Sequence, residues 1–484
     1  MLIQRHHAYP TKDHIMPNSP TISTLKELKD SGYTPKPVRD EVRGNLIAAL
    51  REGRRLFPAV RGYDDTVMPE LYNAIMAGHD IIFLGERGQA KTRLARGLVE
   101  LLDEWLPIVA GSEINDDPFA PVSWFGKHVV AEQGDATPIE WVPRDRRFAE
   151  KLATPDTTVA DLIGEVDPIK VAEGRYLSNE EILSFGLIPR TNRGIFNLNE
   201  LPDLAERIQV GLLNILEERD IQIRGFQVRL PLDVLFVASA NPEDYTNRGR
   251  IITPLKDRFG SQIQTHYPRA LEFELEITEQ ERSDFTAPGV SVIYPPYMQE
   301  VVAEISHHAR RSPDVSQRSG VSVRMTIANA EALLANAQRR AVLTGEKSAV
   351  PRISDLPAIR PSTMGKLELE TFGEGRDEQV FERLVGESVK AVFLRSVDPS
   401  RLEMLLLAFE NGLTVSASDQ SNSYDYIPQI SSVEELRGVV ESLEGGSSPA
   451  EMASAVEFIL EGLHQMRKLS RRSDADGSGV TYAR

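Results

Sequence analysis

An α/β fold, with a parallel-sheet core followed by mainly helical segments, is predicted by three features of the sequence. Residues 80–92, DIIFLGERGQAKT, set a short apolar run before a glycine-bearing loop that ends in Lys91 and Thr92. Two further runs, at residues 194–198 (GIFNL) and 233–240 (DVLFVASA), read as apolar strands. Beyond residue 270 the spacing of apolar residues becomes helical, as in YMQEVVAEISHHARRS and IANAEALLANAQRRAVL. The expected organisation is a flexible arm over residues 1–40, an α/β core over 41–270, a helical lid over 271–350 and a helical C-terminal region over 351–484 with a disordered tail.

Composition bounds the chemistry. The 484 residues, 41% of them hydrophobic, suffice for two to four domains with real cores. The absence of cysteine excludes disulfides, thiol catalysis and cysteine-ligated zinc, and the nine histidines form no HExxH pair. A metal would therefore arrive with a ligand. A net charge of −17 argues against a broad nucleic-acid surface, and the basic runs RDRR (144–147) and RKLSRR (467–472) read as solvated faces. No apolar stretch is long enough to cross a bilayer and the first residues contain no signal-peptide core, so the cytoplasm is the expected location.

The elements follow in order. After the arm, a helical pattern starts at Val38, and Gly62 and Tyr63 precede the first strand either as a packing linker or as a segment beside an adenine ring. Residues 81–84 form the strand, and Leu94, Leu98, Leu101 and Leu102 make one stripe of a helix expected to run to Trp105. Strand, glycine loop and helix in this order are the context of a phosphate-binding loop. Gly85, Glu86, Arg87, Gly88, Gln89 and Ala90 would wrap the phosphates with backbone N–H groups, Lys91 would reach the β- and γ-phosphates, and Thr92 would offer its hydroxyl to Mg²⁺. Ala90 stands where the usual pattern has glycine.

A second strand, an acidic loop and a long irregular segment to about residue 160 come next; Asp116 and Asp117 read there as solvated turn residues more readily than as metal ligands. The strand at 194–198 ends in Asn199 and Glu200. In a nucleotide-hydrolysing fold of this type Glu200 is placed to polarise the attacking water, and Asn199 occupies the position where an aspartate meets the Mg²⁺ hydration shell. An amide there brings no charge, so weaker metal binding is expected. A helix at 208–220 and a hairpin hinged near Gly225 lead to the strand ending in Asn241, which can hold the attacking water or the γ-phosphate. Arg248, Arg250 and Arg258 follow; Arg258 can serve as an arginine finger or pair with a surface acid. In the lid, His307 and His308 read as solvated, and the tail's DADGSG lacks the glutamate of a calcium loop.

With these motifs in this order, the chain resembles the AAA+ ATPases of the MoxR and magnesium-chelatase subunit I clade over about residues 55–345. GERGQAKT is similar to the GxxGxAKT form of that clade, RTNRGIFNLNELPDL to ANRGILYIDEVNLL, LLNILEERDIQIRG to its helix and hairpin, PLKDRFG to LLDRFG, and RSGVSVRMTIANAE to the SGVSxR segment that opens the lid helix. The resemblance implies an AAA+ core with ATP and Mg²⁺ as cofactors. Lys91 and Thr92 would be the Walker A residues, Asn199 and Glu200 the Walker B pair, Asn241 sensor 1, Arg258 the arginine finger and Arg324 sensor 2. It implies further a homo-hexameric ring and a partner with a von Willebrand factor A domain, with residues 157–184 as an inserted element for partner contact. The alternatives are a magnesium chelatase subunit, a σ54-type regulator and a scaffold that binds nucleotide without hydrolysing it.

Overall fold

The computed structural model describes residues 19–166, 182–221, 230–241, 249–316, 319–370, 375–430, 439–440, 443, 448–473 and 479–484. The chain divides into two compact units: residues 1–60, 65–84 and 90–264 form the first, and residues 61–64, 85–89 and 265–484 the second. Among the described residues no helix is long and apolar enough to cross a membrane.

The first unit is built on a five-stranded parallel sheet of described residues: β1 (Ile81–Leu84), β2 (Phe148–Leu152), β3 (Gly194–Asn199), β4 (Val234–Ala240) and β5 (Ser261–Gln264), in spatial order β5-β1-β4-β3-β2. Every residue of β1, β3 and β4 is buried, which is why these strands read as continuous apolar runs. At the sheet edge β2, FAEKL, is half-exposed and carries charge, as edge strands do. Its sequence lacks the apolar signature, and residues 110–160, expected to be irregular, contain it. They contain as well a helix at Trp124–Gln133 and the strand Ile139–Pro143, which pairs antiparallel with Trp105–Val109 just before this segment.

The helix after the loop, α1 (Lys91–Gly97), is shorter than expected: a 3₁₀ turn, Leu98–Leu101, follows it, and Trp105 opens the ribbon strand. Gly97 lies against the Phe57 ring with no room for a side chain. Later helices of this unit are α2 (Glu206–Glu217) and α3 (Thr253–Arg258).

Buried ions hold the end of the sheet where β1 begins. Asp80 accepts from Arg39 Nη2 (2.5 Å), Arg219 Nη2 (2.5 Å) and Phe236 N (2.9 Å). Arg147, from the basic run expected to be solvated, is fully buried and forks onto Glu41 at 2.7 and 2.6 Å, while also donating to Arg193 O. Asp116 is likewise neither solvated nor a ligand. It is fully buried and accepts from Val122 N, Ser123 N and the hydroxyls of Ser112 and Ser123. The arm expected over residues 1–40 is packed where described: Thr24 caps a helix at Leu25–Asp30, and Leu28 is buried beside Ile139. Of the expected hairpin, Asp220–Ile221 pairs with Leu230–Pro231, and residues 222–229 lie outside the described set; so do residues 167–181 of the expected insertion.

The second unit is mainly helical, with α4 (Leu271–Glu281), α5 (Pro296–Ala309), α6 (Val323–Thr344), α7 (Arg376–Ser396) and α8 (Pro449–Gln465) as its larger helices. Ser448 and Glu451 close a capping box ahead of α8, whose residues from Ala453 to Leu463 are all buried, so this stretch is apolar on every side except for Ser454, Glu457 and Glu461. Both acids are partnered: Tyr426 Oη and Ser354 N donate to Glu457, and Tyr482 Oη and Arg471 to Glu461. The tail is not wholly disordered, because Gly479–Ala483 pairs antiparallel with both Val415–Ser418 and Ser470–Ser473; residues 474–478 lie outside the described set.

Candidate functional site

Within the first unit, three of the residues picked from the sequence form one chain of hydrogen bonds. Lys91, the first residue of α1, is buried, and its Nζ donates to Asn241 Oδ1 at 2.6 Å. The Asn241 Nδ2 donates in turn to Glu200 Oε2 at 3.0 Å. The parallel sheet accounts for this meeting: β1, β4 and β3 are neighbours, so the loop after β1 and the tips of β4 and β3 emerge at the same edge. Glu200 sits at φ 53°, ψ 49°, a left-handed conformation that costs a non-glycine residue about 1 kcal/mol, and its N–H donates to Ser239 Oγ at 3.3 Å. Backbone strain at this point turns the carboxylate off the line of β3. Ala90 adopts φ 57°, which explains why the usual pattern has glycine there, and alanine accepts the same geometry at a similar cost.

Asn199 lies beside this chain without joining it. Its Oδ1 accepts from Ser239 Oγ (3.1 Å) and Asn197 Nδ2 (3.2 Å), and its Nδ2 donates to Glu150 Oε1 at 2.5 Å. Thr92 is the second residue of α1 and half-buried. The Thr92 hydroxyl and the Glu200 carboxylate offer oxygen, the hard donor chemistry that suits Mg²⁺, an ion that is held by few protein ligands together with phosphates and water. The residues present therefore fit Mg²⁺ brought in by a nucleotide.

Arg258, at the end of α3, is half-buried in an intramolecular pair: Nε donates to Glu217 Oε2 at 2.9 Å and Nη1 to Pro254 O at 2.8 Å. The surface acid expected as its ordinary partner is Glu217 of α2. Arg250 pairs with Glu206 at 3.3 Å, and Arg248 lies outside the described residues.

The first half of the loop, Gly85 to Gln89, belongs to the second unit and is braced there. Gln89 Oε1 accepts from Glu86 N (3.0 Å) and Thr265 Oγ1 (2.8 Å), so the side chain closes the turn on itself. Tyr267 Oη donates to Arg87 O at 2.9 Å. Gly85 and Gly88 are required by close approach: a Cβ on Gly85 would run into Thr265 and Gln89, and one on Gly88, at φ 78°, into Ser322. Tyr63 is buried with its hydroxyl on Gln89 O (2.9 Å) and His266 O (2.8 Å), and burial pushes its pKa up. Of the two expectations for this tyrosine, the structure supports a packing role.

Ser322 also caps α6, its Oγ accepting from Arg324 N at 3.2 Å, and leaves Arg324 exposed in the first helical turn. Arg318 lies outside the described residues. Behind this segment Glu274 ties three helices together: Arg310 donates to both its oxygens (2.7 and 2.9 Å), Thr326 Oγ1 donates at 2.5 Å, and His307 Nε2 stands 3.5 Å away. The Arg310 guanidinium lies 4.5 Å from the centre of the Tyr267 ring. His307, expected to be solvated, is thus buried against a carboxylate, and His308 stands half-buried between Glu304 (3.9 Å) and Glu387 (3.7 Å). Sequence reasoning missed Glu150, Arg96, Ser239 and Tyr267. None belongs to a motif, and only the apolar strand around Ser239 offered a signal.

The chain is similar to several known proteins. The family described as AAA domain (dynein-related subfamily) matches residues 136–259, a span that holds β2, β3, β4, Glu200, Asn241 and Arg258 but starts after the loop. The magnesium-chelatase subunit ChlI-1, chloroplastic, of Arabidopsis thaliana is 28% identical over 237 residues, which cover 46% of this chain and 51% of that protein. The magnesium-chelatase subunit ChlI of Chlorella vulgaris is 26% identical over 251 residues, 49% of this chain and 65% of that protein. The chain thus spans about half to two thirds of the length of these relatives. Among solved structures, the complex between subunits BchI and BchD of magnesium chelatase aligns over 67% of this chain and 98% of that chain, at 19% identity and a TM-score of 0.35.

Proposed function

We propose, on the premise that this chain is an AAA+ ATPase of the MoxR and magnesium-chelatase subunit I clade, that it hydrolyses ATP with Mg²⁺ and works as a ring motor that remodels a partner protein. The observation that carries the reading is the hydrogen-bonded chain Lys91–Asn241–Glu200.

Lys91 has three donors, so its ammonium can hold a phosphate oxygen while keeping Asn241. The N–H groups of the loop would cradle the remaining phosphate oxygens. Glu200 polarises the attacking water, and the amide of Asn241 fixes the carboxylate toward it. Mg²⁺, when bound, would neutralise charge on the β- and γ-phosphates. Thr92 and Asn199 are the residues the motif assigns to its side of the site, and Arg324 to the phosphates as sensor 2. Arg258 would leave Glu217 to reach a neighbouring subunit's γ-phosphate, which makes each site composite and couples hydrolysis to ring motion.

A homo-hexamer and a partner with a von Willebrand factor A domain complete the proposal, on the strength of the clade resemblance. The test is release of phosphate from ATP by the full chain, dependent on Mg²⁺ and raised by a von Willebrand factor A domain protein encoded beside it. No hydrolysis under any Mg²⁺ concentration would refute the motor and leave the scaffold reading.

A second reading is favoured by one observation: relatives that align over about half of this chain are magnesium-chelatase subunits. In that case the chain, mixed with the other chelatase subunits, would drive Mg²⁺ into protoporphyrin. Porphyrin-dependent stimulation of its ATP hydrolysis would decide for the chelatase.

A further inference from the structure

The end of β3 that carries Asn199 faces a carboxylate that no motif announces. Glu150 lies on β2, where Leu152 is in register with Asn199 and Ala153 N donates to Asn199 O at 2.8 Å. Its Oε1 accepts from Asn199 Nδ2 at 2.5 Å. Arg96, one helical turn beyond Thr92 on α1, grips the same carboxylate with Nε at 2.7 Å and Nη2 at 3.1 Å. Such a two-point grip fixes a carboxylate in direction as well as position. The Glu150 side chain keeps 21% of its surface exposed, so water reaches it.

The network demands an amide at position 199. Nδ2 must donate toward Glu150, while Oδ1 accepts from Ser239 and Asn197. An aspartate there would offer acceptors only, set against Glu150 at a distance where two carboxylates repel and one is driven to hold a proton. Asn199 is therefore fitted to Glu150, and its neutrality is no simple loss.

We propose that Glu150 supplies the negative charge that Asn199 lacks, so that the acidic group on the metal side of the site has moved from the end of β3 to the neighbouring strand β2. This rests on the ATP and Mg²⁺ reading above. Glu150 is a positioning residue: it would orient Asn199 and set a negative charge beside the ion's place, and Arg96 ties it to the helix that carries Lys91 and Thr92. Outer-shell partners of this kind change metal affinity by about 10- to 100-fold.

The experiment titrates Mg²⁺ into the full chain with N-methylanthraniloyl-ATP and follows fluorescence, with circular dichroism reporting the fold. In Glu150→Gln the Mg²⁺ concentration for half-maximal effect should rise by about 10-fold or more, while nucleotide binding in excess chelator stays at the wild-type level. Asn199→Asp alone should also weaken the Mg²⁺ response and lower the melting temperature, and the double variant Glu150→Gln with Asn199→Asp should recover most of both. Should Glu150→Gln fold poorly, Glu150→Ala, which likewise removes the charge, takes its place with the same expectation. An unchanged Mg²⁺ response in the Glu150 variants, or a tighter one in Asn199→Asp alone, overturns the proposal. Wild-type protein that binds no nucleotide even in chelator would overturn the ATP reading itself, and that outcome is distinct from an altered Mg²⁺ dependence.

Discussion

Lys91 Nζ donates to Asn241 Oδ1 at 2.6 Å, so the amine at the end of the loop and the amide at the tip of β4 form one unit with Glu200. The two ends of this unit have separable duties. Lys91→Ala removes a buried cation with charge-assisted bonds to offer, and nucleotide affinity should fall by at least about 100-fold, roughly 3 kcal/mol. Asn241→Ala should bind nucleotide within a few-fold of wild type but turn over about 10²-fold more slowly, since it only aims other groups. Binding by isothermal calorimetry beside phosphate release separates the two; equal losses of binding in both variants would contradict the division.

Glu200→Gln preserves size and can still accept from Asn241 Nδ2, so the left-handed turn and its contacts should survive. Loss of the charge removes the base. Turnover should drop by about 10²- to 10⁴-fold with nucleotide affinity retained, and a variant as active as wild type would remove Glu200 from its assigned role.

Arg258 is held by Glu217 within its own chain, and a finger acting between subunits must break that pair. Half-exposed, the pair is worth at most about 1 kcal/mol, small against the 10³- to 10⁵-fold that such an arginine contributes to turnover. Arg258→Ala should bind ATP normally and hydrolyse almost none, whereas Glu217→Ala should keep or raise activity. Mixing Arg258→Ala with Lys91→Ala should restore some hydrolysis, because a site with an intact loop then meets an intact arginine. No recovery at any mixing ratio would count against action across subunits.

Much of this site was legible in the sequence because its strands are buried on both faces. IIFL, GIFNLN and VLFVASA are buried along their whole length and therefore mostly apolar, and the candidate residues Asn199, Glu200 and Asn241 stand at or just past the ends of the last two. The edge strand FAEKL was not legible, since half-exposure lets it carry Glu150 and Lys151, and the acid beside Asn199 was lost with it. The helix after the loop was overextended because the leucine stripe continues through the 3₁₀ turn at Leu98–Leu101, while Gly97 and Phe57 set its end by packing. Buried ions were invisible for a related reason: Arg147 and His307 have partners far along the chain, and a run of charge gives no hint of them.

The ionic cluster at Glu274 yields a pH dependence whose sign is fixed. Burial alone would raise its carboxyl, but the approach of His307, the two bonds and charge of Arg310 and the Thr326 hydroxyl outweigh it and hold the pKa at about 2, against an ordinary 4.5. A depressed acid stabilises the fold at pH values above its unfolded pKa, and that contribution fades as pH falls from about 4.5 toward 2. Linkage sets it at roughly 3 kcal/mol at neutral pH. Glu274→Gln leaves Arg310 without its anion and should destabilise the protein at pH 7 by about 3 kcal/mol or more. The gap to wild type should close progressively below about pH 4.5 in urea titrations, because protonation of Glu274 makes the wild type resemble the variant. A gap that held constant down to the acid range would show that the carboxylate's charge is not what holds α4, α5 and α6 together.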